Sequence, residues 1–182
     1  MNKSTPSQAN SDAKSTFMDM DLHSMTYDMR IQDRLRAQHV KRWHIVQMAR
    51  EQSLAEHSFN VAQIAREISV RLDHSIQLRL RVVNAALDHD IEEVVRGDAP
   101  TPSKGKARYQ ITGVMTLGDV IKVADLIDAY IFAKEYAVGR HAGEVREYCW
   151  AALQWAIGDM VPDERKVVEK IVDEITVGEF TI

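Results

Sequence analysis

The sequence is nearly without cysteine. Cys149 stands alone among 182 residues, so no internal disulfide can form and a disulfide-stapled secreted scaffold is excluded. It has no surplus of positive charge: 23 Lys and Arg against 27 Asp and Glu leave a net charge of −4. No Lys/Arg run supplies the basic stripe with which a binder of nucleic-acid polymers displaces counterions. It also lacks any apolar run near the roughly 18 residues needed to span a bilayer, and its first twenty residues hold no apolar signal segment. A reducing cytoplasm is the expected compartment. What is present is 45% hydrophobic and 27% charged, the balance of an ordinary globular chain. The length suits one domain with a core of its own.

Residues 1–16 carry no large apolar side chain after Met1, too little to offset the entropy of ordering, and the expectation is a disordered tail over residues 1–23. From residue 24 onward the apolar residues recur at helical spacing. Met25, Met29, Ile31 and Leu35 predict a helix ending near Val40. Ser53 and Glu56 form an S-x-x-E capping box before a second helix, whose core stripe is His57, Val61, Ile64, Ile68 and Leu72. A third is predicted from Ser75 to Arg96, with Val82, Ala86, His89 and Glu93 on one face and Gly97 as its stop. After a loop rich in Pro, Gly, Lys and Thr, a fourth spans about Asp119 to Tyr136 and is apolar nearly all round, which makes it central. Gly139 breaks it. A fifth covers about Gly143 to Ile157, and Pro162 suits the first turn of a sixth. No strand alternation competes, so the expected fold is all-α, a compact bundle of about six helices over residues 24–182.

Three of these apolar stripes carry polar residues: His57 in the second helix, His89 and Asp90 in the third, Asp125 in the fourth. A single core histidine is commonly a satisfied structural one, and Asp125 could pair with Arg42, Lys122 or Arg66. A charge in an apolar site must be paired or bound to metal. Together, two imidazoles and two carboxylates from three packed helices form an N2O2 set suited to a first-row divalent ion, and helix bundles build metal sites in this way.

The pattern H…HD…D, set within R-W at 42–43, S-L-A-E-H-S at 53–58, H-D-I-E-E-V-V-R-G-D-A-P-T-P-S-K at 89–104 and K-V-A-D at 122–125, resembles the HD-domain metal phosphohydrolases. It is closest to the 5′-deoxynucleotidase-like branch and to the phage dATP triphosphohydrolases that share its architecture. The resemblance runs over about residues 25 to 140. It implies that His57, His89, Asp90 and Asp125 are metal ligands and Glu93 the catalytic carboxylate. It also implies that Arg42 and Trp43 hold phosphate and nucleoside, that Asp98 and Thr101 recognise the sugar hydroxyl, and that Lys104 and Lys122 lie near the phosphates. Ile45 is a further candidate for the base pocket. These residue types suit the work, since a guanidinium forks onto phosphate oxygens and an indole offers a broad face to a base.

The implied activity is metal-assisted hydrolysis of a phosphate ester, with Glu93 moving a proton at the water or at the leaving oxygen. No histidine lies between Asp90 and Asp125, which favours one divalent ion per subunit, Co, Mn, Zn, Fe or Ni, over a dinuclear site. The short interval between His57 and His89 and the Trp43-x-Ile45 pair favour dATP as substrate over a deoxynucleoside monophosphate. Such an enzyme would deplete dATP in the host cytoplasm for a phage. A non-catalytic nucleotide-binding module and a guanosine tetraphosphate hydrolase are the more distant alternatives. Tyr148, Trp150, Trp155 and Ile157 give the last helices more apolar surface than a peripheral helix needs, so a homo-oligomer is expected. The expected partner is a small deoxyribonucleotide, without a nucleic-acid polymer or a membrane.

Overall fold

The computed structural model describes residues 29–98 and 109–177. Among the described residues the chain is helical, with three isolated bridges and no strand. The all-α expectation holds; the predicted tail and the start of the first helix lie outside the described residues. The elements are α1 (Ile31–Arg34), a 3-10 turn (Leu35–His39), α2 (Leu54–Arg71), α3 (Ile76–Asp88), α4 (Glu93–Arg96), α5 (Leu117–Tyr136), α6 (Ala142–Ile157) and α7 (Pro162–Val177). Helix α2 packs on α3 and α5, and α5 packs in turn on α6.

Helix α5 is central, as its composition requires. Val120, Val123, Ala124 and Ile127 are fully buried against Val61, Ala65 and Ile68 of α2, Val82 and Ala86 of α3, Leu153 of α6 and Val168 of α7. Its start is fixed by a reciprocal cap not anticipated from the sequence. The Thr116 hydroxyl accepts from the Asp119 amide, and the Asp119 carboxylate accepts from the Thr116 amide. In α2 the Ser53 hydroxyl accepts from the Glu56 amide, as predicted, but the other half of the box is a different contact. Glu56 turns outward to a two-point pairing with Arg50, at 2.7 and 3.0 Å.

The predicted third helix does not run unbroken to Arg96. It ends at Asp88; residues 89–92 form turns, and α4 resumes for a single turn before Gly97, whose φ of +78° a side chain would strain. The break carries His89 and Asp90. Nothing in the local sequence, which has neither Gly nor Pro there, announces it; the ends of the two helices instead bend to bring polar residues to one point. In α6, Tyr148, Trp150 and Trp155 are exposed, but Ile157 is buried in the core, which corrects its assignment to the outer face.

Between the 3-10 turn and α2, residues 40–53 form a loop strapped at both ends. The Leu54 amide donates to the Val40 carbonyl, and Lys41 bridges Ser53. Farther along, the Ala49 amide donates to the Tyr136 carbonyl and the Val138 amide to the Gln47 carbonyl, tying the loop to the end of α5 beside Gly139. This loop carries Arg42 and Trp43.

Candidate metal centre

Helix α2 presents His57 one turn after its cap, with no exposed surface. The ring is held from behind: its Nδ1–H donates to Asp128 Oδ2 at 2.6 Å, which leaves the Nε2 lone pair directed into the site. His89, just past the end of α3, is oriented differently. Its Nδ1–H donates to the Ala86 carbonyl at 2.8 Å, the backbone one turn earlier. The two Nε2 atoms face each other at 3.2 Å. Two imidazole lone pairs at that distance repel unless a proton or a cation lies between them.

The carboxylates complete the set. Asp90 Oδ2 lies 3.3 Å from His89 Nε2 and 3.7 Å from His57 Nε2, and Asp125 Oδ1 lies 3.4 Å from His57 Nε2. Donors about 2.0–2.1 Å from a tetrahedrally held zinc stand about 3.3–3.4 Å apart, so these separations match the edges of such a shell. His57, His89 and Asp90 form the tight trio, with donor atoms all within 4.8 Å of one another. Asp125 joins through Oδ1, while its Oδ2 accepts from Lys122 Nζ at 2.6 Å, so one of its simple ion-pair partners is realised as well. The residues fit a divalent ion.

The electrostatics agree with a cation site. Burial opposes charge on His57, Asp90 and Asp125, yet charge prevails on these three. The bond to Asp128 and the nearness of Asp90 hold the His57 imidazole above its ordinary value. His57, His89 and Arg42 keep Asp90 far below the carboxylate range against the same burial penalty. Asp125, whose side chain keeps 17% of its surface exposed, is likewise depressed against the cost of its partial burial, by Lys122 and the two histidines. Carboxylates held ionised suit a cation, and any proton on an imidazole would have to leave for a metal ion to enter.

Arg42 and Glu93 stand beside this cluster. Arg42 donates to Asp90 Oδ2 at 3.1 Å and lies 3.9 Å from Glu93 Oε2. Burial would lower its pKa, but Asp125, Asp90, Asp98 and Glu93 together raise it, so it stays a cation. Glu93 is 4% exposed. It reaches the site from the first residue of α4, not as an i+4 neighbour of His89 on one helix; the turn at 89–92 replaces the helical spacing argument. Asp98 follows Gly97 and lies 3.6 Å from His44 Nδ1, within the charge environment of Arg42. Trp43 has φ of +63°, a region costing about 1–3 kcal/mol for such a residue, and its ring stacks on Phe132 at 6.0 Å and 14°. Ile45 is 58% exposed on the same loop and is not brought against the other site residues by any described contact. Lys122 is paired with Asp125, and Thr101 and Lys104 lie outside the described residues.

Two buried polar residues near the cluster were missed from the sequence, Asp128 and Gln52. Asp128 did leave a signal, since it sits three residues after Asp125 on the same face of an otherwise apolar helix. Gln52 lies in a loop, where no periodicity marks a buried position.

Comparison with known proteins now adds to the geometry. Residues 31–116 match the family model described as 5′-deoxynucleotidase YfbR-like. A dATP triphosphohydrolase of Salmonella phage PMBT28 is 31% identical over 135 residues, covering 60% of this chain and 69% of that protein. The chain belongs to the HD-domain phosphohydrolases, in the 5′-deoxynucleotidase-like branch. This HD-domain hydrolase is also 28% identical over 148 residues to the dATP triphosphohydrolase of cyanophage S-2L, covering 72% of this chain and 85% of that one. The solved structure of the cyanophage S-2L HD phosphohydrolase DatZ, bound to dA and one catalytic Zn2+ ion, shares the fold at a TM-score of 0.71 and 23% identity. The match covers 82% of this chain and 98% of the DatZ chain. No helix among the described residues is long and apolar enough to cross a membrane.

Proposed function

We propose that this HD-domain phosphohydrolase hydrolyses dATP to deoxyadenosine and triphosphate, using one divalent ion held by His57, His89, Asp90 and Asp125. The observation that carries the reading is the convergence of two imidazoles and two ionised carboxylates at 3.2–3.7 Å beside a part-buried guanidinium. The Arg42 Nε–H makes no hydrogen bond among the described residues, as expected of a group that awaits an anion. The names of the two phage relatives support dATP, and the S-2L structure supports zinc as the ion.

When bound, the ion polarises a phosphate oxygen and acidifies the attacking water. The chain's own side chains do the rest. Arg42 forks onto phosphate oxygens and offsets charge as the ester bond breaks. Lys122 shares its ammonium between Asp125 and the phosphates, and Lys104 adds a second positive charge. Glu93 moves the proton, taking it from the water or giving it to the 5′ oxygen of the departing deoxynucleoside. Trp43 faces the base, and Asp98 with Thr101 takes the sugar hydroxyl. The reaction is that of a cytoplasmic enzyme on a small, soluble substrate.

A second reading, removal of a single phosphate from a deoxynucleoside monophosphate, is favoured by the description of the matching family model. Zinc-loaded protein assayed separately on dATP, dGTP, dAMP and dTMP, with phosphate resolved from triphosphate, distinguishes the two. Triphosphate released from dATP is the expected result. Rapid dAMP hydrolysis with no triphosphate from dATP assigns the chain to the second reading.

A further inference from the structure

Asp128 lies behind the metal cluster, 4% exposed, and both its oxygens are occupied. Oδ2 accepts from His57 Nδ1 at 2.6 Å and from Gln52 Nε2 at 2.9 Å, while Oδ1 accepts from Asn60 Nδ2 at 2.9 Å. Gln52, with no exposed surface, passes the connection on: its Oε1 accepts from the indole N–H of Trp43 at 2.8 Å. A continuous line of hydrogen bonds therefore joins Trp43, Gln52, Asp128 and His57. Its polarity is fixed by chemistry. An indole can only donate and an ionised carboxylate can only accept, so the link between them needs an acceptor on one edge and donors on the other. A side-chain amide meets that demand; a glutamate in its place would set one carboxylate against another.

Gln52 also holds the loop through its backbone, since its carbonyl accepts from the Arg42 amide at 2.9 Å. The left-handed φ of Trp43 requires restraint from outside the residue, and the Gln52 bond on one edge with Phe132 on one face supplies it. The same Asp128 oxygen receives both His57 and Gln52. Loading of His57 Nε2 makes Nδ1–H a stronger donor, which draws Oδ2 toward the imidazole and away from the amide. The amide, and with it the indole, must readjust.

We propose that Asp128 and Gln52 form a positioning relay that couples occupancy of the metal ligand His57 to the setting of the Trp43 ring, so that ion and nucleoside bind cooperatively. It rests on the reading that His57 holds the ion and Trp43 faces the nucleoside. Neither relay residue touches the reacting atoms.

The test uses full-length protein in which Trp150→Phe and Trp155→Phe leave Trp43 as the sole indole, titrated with zinc chloride after chelation. One zinc per chain should bind, with a shift in Trp43 emission. Zinc saturation should tighten deoxyadenosine binding by at least about 5-fold, the lower end of usual site-to-site coupling. Gln52→Met, of similar volume but without the amide, should bind zinc within about 10-fold of the parent affinity yet lose both the emission shift and the tightening. Asp128→Asn should weaken zinc by about 10–100-fold and also abolish the shift, which keeps the question answerable should Gln52→Met fold poorly. An unchanged shift in Gln52→Met overturns the relay, and so does a parent that binds zinc with no Trp43 response; in both cases the metal reading stands. A parent that binds no zinc refutes the metal reading and the relay together.

Discussion

The two histidines of the site sit on walls built in different ways. His57 projects from the interior of an 18-residue helix and is backed by a side chain of another helix, Asp128, which is itself held by Gln52 and Asn60. His89 sits where α3 ends, and its ring is backed by its own backbone at Ala86. One wall depends on a long-range polar network and the other on local chain geometry. The first should therefore respond to substitution at a distance, whereas the second should tolerate changes to everything except the residues that enter the site. On the proposed function the proton transfer falls on the second wall, where Asp90 and Glu93 face Arg42, while the first wall supports His57 from behind.

The largest expected effect falls on the reactive wall. Glu93→Gln keeps the shape of the side chain while removing its proton-transfer capacity, so turnover should fall by about 10²-fold or more. Zinc stoichiometry, measured by elemental analysis, should stay the same. A variant with near-normal turnover would take Glu93 out of the chemistry and make this wall a structural one.

An intermediate effect is expected from Asn60→Ala on the supporting wall. It removes one of the three hydrogen bonds to Asp128 at a part-buried position, a change worth about 1 kcal/mol of folding stability. Chemical denaturation should show a lower midpoint with an unchanged slope, and zinc should still bind, since His57 and Gln52 keep their bonds to Oδ2. If zinc affinity collapsed instead, the network would have no redundancy and the contrast between the walls would be sharper still.

The smallest effect concerns Cys149, on α6. Burial, helped by the negative charge of Asp125, pushes its thiol up to about 12. A thiol raised in the folded state favours its neutral form, so its contribution to stability is complete below the ordinary thiol pKa of about 8.5 and fades as pH rises from there toward 12. Iodoacetamide at pH 8 should label native protein far more slowly than urea-unfolded protein, as read by mass spectrometry. Equal rates would show that α6 opens freely.

Much of this was legible in the sequence because the stripes of α2 and α5 repeat at helical spacing, so His57 and Asp125 could be placed on core faces from periodicity alone. The break after Asp88 was not legible. Residues 89–92 have no helix-breaking residue, and the turn there comes from tertiary geometry that periodicity does not encode. Asp128 was overlooked because Asp125 had already accounted for the polar character of its helix face, although the i, i+3 spacing was in view. Gln52 offered no signal at all, being a loop residue whose burial comes from partners distant in the chain.

Gly139 closes the strap between Gln47 and the end of α5. Its φ of +80° disfavours any side chain, and an added methyl group would run into the amide oxygen of Gln47. The loop bearing Arg42 and Trp43 is thus hinged on a position almost a hundred residues away in sequence. A bulkier residue there would leave every functional group chemically intact and still be read in an assay as poor substrate capture, a binding defect whose origin no inspection of the cluster itself would reveal.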